Sequence, residues 1–179
     1  MIDFAGENAA NRLAERMLYI LVMGIIPFFV ILFLHLNNPE SPVFNFIATK
    51  AKDLPALWSI KNPLFSKVMD VYTKTSPLLA FVFLLTSCRM MRIKEITDDM
   101  ELIKVILNIF VCCILSFILF YVFLCCNIEL STTGRLQNVI TINEYTLTFF
   151  YITIYSGIYF LASPLLCVIV GIYRLLRER

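Results

Sequence analysis

Charge is scarce in this chain, and histidine scarcer. Asp, Glu, Lys and Arg make up 16% of the residues, and His35 is the single imidazole. Soluble domains carry roughly a quarter charged residues. One histidine at the end of an apolar block reads as an interfacial side chain, and there is no second to complete a metal site. A glycine-rich phosphate loop, a nucleophile elbow and an HExxH pair are all missing. The six cysteines, Cys88, Cys112, Cys113, Cys125, Cys126 and Cys167, show no CxxC spacing. Cys112 and Cys126 would stand about 21 Å apart along one helix, too far to bridge. The cysteines read as apolar filler, with Cys125–Cys126 open to partial oxidation. A net charge of +2 excludes a polyanion binder, so no nucleic acid is expected. These absences disfavour an enzyme and imply no cofactor.

What the chain has is length of apolar run. It is 60% hydrophobic with a mean hydropathy of +0.82. Its charges cluster between four apolar blocks, read as membrane spans at 17–36, 68–88, 102–126 and 146–173. A span needs about 20 residues to cross roughly 30 Å of hydrocarbon. The expected fold is all-α, a polytopic four-transmembrane-helix bundle forming a single integral membrane domain over 1–179. Outer loops are expected at 37–67 and 127–145, and an inner turn at 89–101. Asp3, Glu7 and Glu15 precede the first span and no small-residue cleavage site follows it, so an uncleaved anchor is expected. Lys and Arg bias favours cytoplasmic termini: Arg89, Arg92 and Lys94 crowd the short inner turn, with Arg12, Arg16 and Arg174 on the same side. The central thirds of the spans carry no charge, which disfavours a pump or ion-coupled carrier.

The stretch NPLFSKVMDVYTKTSPLLAF, residues 62–81, places Lys67, Asp70 and Lys74 on one helix face just before an apolar run. Asp70 and Lys74 stand four apart with the acid first, the better orientation for a helical pair. Asn62 is expected to cap this helix and Pro63 to start it. Pro77 would free the carbonyl of Thr73, with Thr73, Thr75 and Ser76 at hand to satisfy nearby backbone. The three charges read either as a hydrated, snorkelling start to a span or as a recognition surface. In the preceding loop, Phe44, Phe46, Ile47 and Trp58 read as anchors at the outer headgroup layer. Thr97 is expected to cap the third helix, with Asp98, Asp99 and Glu101 in its first turn.

Two weakly polar stripes remain. Asn108, Cys112 and Ser116 share one side of the third span, and Ser156, Ser163, Cys167 and Gly171 share one side of the fourth. Small residues let helices approach closely where lipid supplies no hydrophobic drive. These seams either hold the bundle together or receive a helix from a partner, and they leave a homo-oligomer open.

The 62–81 segment resembles the corresponding stretch of immunity proteins against colicin A-type pore-forming bacteriocins. YILVMGIIPFFVI around Pro27, IATKAKDLPALWS, NIELSTTGR at 127–135 and TLTFFYITIYSGIYF follow in the same order. The resemblance runs from about residue 12 to the C-terminus; the cysteine pairs are not part of it. It implies an inner-membrane protein of four spans with both termini cytoplasmic, which protects the toxin-producing bacterium from its own colicin. The partner it implies is the pore-forming domain of that colicin, met within the lipid bilayer, and the effect is to keep the channel from opening. On that reading Lys67, Asp70 and Lys74 join Glu129, Thr132, Thr133 and Arg135 in a polar rim, with Gly134 permitting a tight turn. A small transporter or channel subunit, or an envelope assembly protein, is the alternative. A neighbouring toxin gene on the same DNA, as on a plasmid, would separate them.

Overall fold

A computed structural model describes residues 4–87, 99–130 and 139–177. Helix α1 spans Phe4–Asn37 and α2 Pro42–Lys50. Strand β1 is Leu57–Trp58, followed by α3, Pro63–Thr73, and α4, Ser76–Ser87. Helix α5, Asp99–Phe120, runs on into a π-helical turn at Tyr121–Cys125. Strand β2 is Ile128–Glu129, and α6 is Glu144–Arg177. The fold is a helical bundle, all-α apart from a parallel pairing of β1 with β2, in which Leu57 faces Ile128 and Trp58 faces Glu129.

Among the described residues three helical stretches are long and apolar enough to cross a membrane: Asn11–Asn37, Pro63–Ser87 and Glu144–Val168. Glu144–Val168 has 25 residues, roughly 37 Å of helix at about 1.5 Å per residue. That exceeds the roughly 30 Å of a hydrocarbon core. Ile109–Phe123 is a shorter apolar helix within the expected third span. The outward faces suit lipid. Tyr19, Met23 and Phe33 on α1, Leu78 and Leu85 on α4, and Phe110 and Phe117 on α5 are all well exposed.

Helix α6 is the hub, packing on α1, α3, α4 and α5. Its inward residues Leu147, Tyr151, Tyr155, Ile158 and Tyr159 meet Phe28 and Leu32 of α1, Phe65 and Met69 of α3, and Phe83 of α4 in one core. The tyrosines can be buried there because each hydroxyl or ring finds a partner. Tyr159 Oη donates to Met17 O at 3.0 Å, and Tyr72 Oη donates to Gly24 O at 2.8 Å. Ser76 Oγ donates to Tyr155 O at 2.6 Å, tying α4 to α6. At the other end of α4, the Arg16 guanidinium donates to Thr86 O at 3.1 Å.

Several expectations are corrected. The second span carries a break: α3 stops at Thr73 and α4 restarts at Ser76. Pro77 offers no amide hydrogen, so the turn before it is held by side chains instead. Thr73 Oγ1 donates to Met69 O at 2.8 Å and Thr75 Oγ1 to Tyr72 O at 2.7 Å, while Ser76 reaches across to α6. Pro63 does start α3, but the Asn62 side chain makes no cap bond. Its amide donates instead to Glu144 Oε1 at 3.4 Å.

The expected outer loop at 37–67 contains a short helix: Ser41 caps α2 through Val43 N at 3.4 Å, with Pro42 at its first turn. Phe44 turns inward and is 2% exposed, so it is no headgroup anchor, and Trp58 is half-buried in β1. His35, at the end of α1, is buried, stacked on Phe65 at 4.4 Å and edge-on to Phe44 at 5.9 Å. The inner-turn residues through Asp98, including Thr97, lie outside the described residues, as do Thr132, Thr133, Gly134 and Arg135.

Candidate functional site

Segment 54–59 crosses the end of the bundle as extended chain, and extended backbone there needs a partner for every buried N–H and C=O. On one side β2 supplies them. Ile128 N donates to Ala56 O at 3.0 Å, Leu130 N to Trp58 O at 2.8 Å, and Ala56 N to Asn127 Oδ1 at 3.4 Å. On the other side no third strand pairs with it among the described residues. Side chains of α3 and α6 take its place.

Helical spacing puts Lys67, Asp70 and Lys74 on one face of α3, and that face looks at the backbone of 54–59. Asp70 is 1% exposed; its Oδ1 accepts from Leu57 N at 3.1 Å, and its Oδ2 pairs with Lys74 Nζ at 2.8 Å. Lys74 Nζ also donates to Pro55 O, and Lys67 Nζ donates to Leu54 O at 2.7 Å. One turn earlier Ser66 Oγ accepts from Ser59 N at 3.0 Å and donates to Pro63 O at 3.2 Å. From α6, Tyr151 Oη donates to Leu57 O at 2.6 Å. The charged face of this span is therefore turned onto the 54–59 backbone, with Asp70 buried and Lys67 and Lys74 partly exposed. It is a staple that holds the 54–59 segment to the bundle and, through β1, holds β2.

For Asp70 this corrects the expectation of a hydrated charge; Lys67 and Lys74 keep partial exposure. Asp70 has no free face to offer a partner. Burying a carboxylate is costly unless it is paired and hydrogen-bonded, and here it is both. Glu129 lies in β2 opposite Trp58, half-buried.

Of the seam residues, Ser163 is buried and donates from Oγ to Tyr159 O at 2.8 Å. Ser116 is 2% exposed in α5, which packs on α6, and its Oγ has no hydrogen-bond partner among the described residues. Cys112, Ser156 and Cys167 are half-buried. Asn108 and Gly171 belong to α5 and α6, but their surroundings lie outside the described residues. Among the described residues Cys112, Cys113, Cys125, Cys126 and Cys167 form no disulfide. Among the described residues no group of three metal-ligating side chains converges.

Sequence reasoning missed the tyrosines. Tyr151, Tyr155 and Tyr159 recur every fourth residue, the spacing of one helix face, and that was the available signal. Tyr151→Phe removes the donor to Leu57 O and leaves a buried carbonyl unpaired, a loss of about 1–3 kcal/mol. Thermal unfolding in detergent micelles should show the reduced stability. Tyr145→Phe, at an exposed position, should leave the transition where it is.

The comparisons with known proteins agree with one another. A family model described as colicin immunity protein matches residues 40–179. The chain is 33% identical to the colicin-A immunity protein of Citrobacter freundii over 184 aligned residues, covering 100% of this chain and 99% of that one. It is also 33% identical to the colicin-B immunity protein of Escherichia coli over 147 aligned residues, covering 81% of this chain and 82% of the relative. No solved structure matches significantly. With a family model spanning most of its length and a relative matched end to end, the chain belongs to the colicin immunity protein family.

Proposed function

We propose that this protein protects its host bacterium by binding the pore-forming domain of a cognate colicin within the inner membrane and holding the channel closed. The observation that carries the reading is the end-to-end match to a colicin-A immunity protein. The apolar exterior of α1, α4 and α5 fits a protein that works inside the bilayer. In this reading the α5 stretch also crosses, giving four spans in one membrane domain, with both termini cytoplasmic and the 54–59 staple on the periplasmic side.

The energetics are within reach of helix packing. A blocker needs only to favour the closed inserted toxin over the open one. Moving that balance from 1:99 to 99:1 takes about 5.5 kcal/mol of differential affinity. A helix–helix seam with a few interhelical hydrogen bonds is a sufficient source. The seam residues of α5 and α6 named above are the proposed intramembrane surface. Glu129, Thr132, Thr133, Gly134 and Arg135 are the proposed outer contacts. Lys67, Asp70 and Lys74 serve that surface indirectly, by fixing the segments that carry it. No step in this role calls for a catalytic group.

The test is survival and potassium efflux of sensitive cells expressing the chain, challenged with a panel of pore-forming colicins and one nuclease colicin. Protection is expected against one or two related pore formers and not against the nuclease. Equal protection against the nuclease would point to blocked import rather than channel inhibition. Protection against none of a panel that includes the toxin encoded beside this gene would overturn the proposal.

A further inference from the structure

Helix α2 has three sides, and only two have an evident partner. At about 100° per residue, Phe44, Ile47, Ala48 and Ala51 share an arc that faces the bundle. Phe44 and Ala51 are buried, Ile47 and Ala48 half-buried. Asn45 and Thr49 form a second, exposed polar arc; Thr49 Oγ1 donates to Asn45 O at 2.7 Å and Asn45 Nδ2 to Glu40 O at 3.4 Å. The third arc holds Val43, Phe46 and Lys50, within about 60° of one another. Val43 is 55% exposed and Phe46 64% exposed, and Lys50 Nζ sits 5.9 Å over the Phe46 ring.

We propose that this third side is a lipid-binding surface, so that α2 lies in the bilayer interface at the end of α1. The occupant follows from where α2 is. Its inward Phe44 packs edge-on against His35, in the last turn of α1. The membrane-facing side of α1 reaches that same level through Val30, Phe33 and Leu34, all well exposed. The apolar arc of α2 is therefore exposed at the level where the exposed apolar side of α1 ends. A polar arc on the flank meets water, and a lysine stem over the phenyl ring puts an ammonium at phosphate height, the arrangement of an interfacial helix. An apolar arc of this kind sinks about 5–10 Å into the headgroup boundary. A protein partner would not need an apolar arc, a wet polar flank and a lysine rim set at the end of an apolar span.

The experiment is a face scan by tryptophan in the full chain, with Trp58→Phe as background, reconstituted in phosphatidylcholine–phosphatidylglycerol vesicles. Helix content by circular dichroism confirms folding. Phe46→Trp and Val43→Trp are expected to be quenched by lipids brominated high on the acyl chain and to be shielded from aqueous iodide. Asn45→Trp is expected to show the reverse. Either apolar-arc position suffices if the other variant does not fold. Iodide access at Phe46→Trp or Val43→Trp with no lipid quenching would overturn the proposal. So would lipid-independent quenching that disappears only when a colicin pore-forming domain is added, which would assign the surface to protein.

Discussion

Asp70→Ala should unfasten the end of the bundle that carries β1 and β2. The substitution removes the acceptor for Leu57 N and strands the Lys74 ammonium, whose side chain is 16% exposed. Breaking a buried pair by removing one partner costs about 3–5 kcal/mol. Because β1 is held between Asp70 and Tyr151 on one side and β2 on the other, the loss should pass to both strand segments. Trp58, the only tryptophan in the chain, lies in β1 beside Leu57 and reports it directly. A lower unfolding temperature in micelles and a red-shifted, iodide-accessible Trp58 emission are expected. Asp70→Asn keeps an acceptor for Leu57 N and loses only the charge, so a smaller loss of about 1.5–3 kcal/mol is expected. Asp70→Ala combined with Lys74→Met should recover part of the stability by removing the orphaned charge. Unchanged stability and emission with protection lost would instead make Asp70 a residue that touches the toxin.

The second large effect is expected at Gly24. A Cβ built there would lie 2.6 Å from Leu79 Cδ2 and 2.6 Å from Tyr155 Oη. Leu79 can turn away. Tyr155 cannot, because its ring is stacked on Tyr72 at 5.6 Å and set edge-on to Phe28 at 5.2 Å. The Gly24 carbonyl also receives the Tyr72 hydroxyl, so pushing α1 outward breaks that bond as well. Overpacking costs about 1–3 kcal/mol, against about 1 kcal/mol of helix propensity gained by Gly24→Ala. Gly24→Ala is therefore mildly destabilising. Gly24→Leu should separate α1 from α4 and α6, with the protein lost from the membrane fraction of expressing cells. Gly157 is the control: nothing lies within 4 Å of a Cβ there. Gly157→Ala should be neutral or stabilising by up to about 1 kcal/mol. Equal effects at the two glycines would contradict the packing described for α1.

How much of this was legible in the sequence depended on whether a signal was local. Apolar runs with charged ends exposed the spans at Asn11–Asn37, Pro63–Ser87 and Glu144–Val168, since length and composition are all a bilayer asks of a helix. The four-residue spacing exposed the Asp70–Lys74 pair. What the pair faces was not legible, because its partners are backbone atoms of residues 55 and 57 brought back over α3. Two-residue strands have no periodicity to read, and the parallel pairing of Leu57 with Ile128 joins positions far apart in the chain. Phe44 and Phe46 looked alike as interfacial anchors. Only the packing of α2 against His35 separates the buried ring from the exposed one. Gly24 gave no cue beyond being a glycine in an apolar run, and its use is set by Tyr155 on a different helix.

The most direct measurement is channel conductance in a planar bilayer. The pore-forming domain of the colicin selected by the survival panel is added to membranes with and without the reconstituted protein. A fall in open probability is expected, with the amount of membrane-inserted toxin unchanged and with no effect on the conductance of an unrelated pore former. Unaltered conductance of the selected toxin, in bilayers shown to contain the folded protein, would contradict inhibition within the membrane and move its action to an earlier step of toxin import.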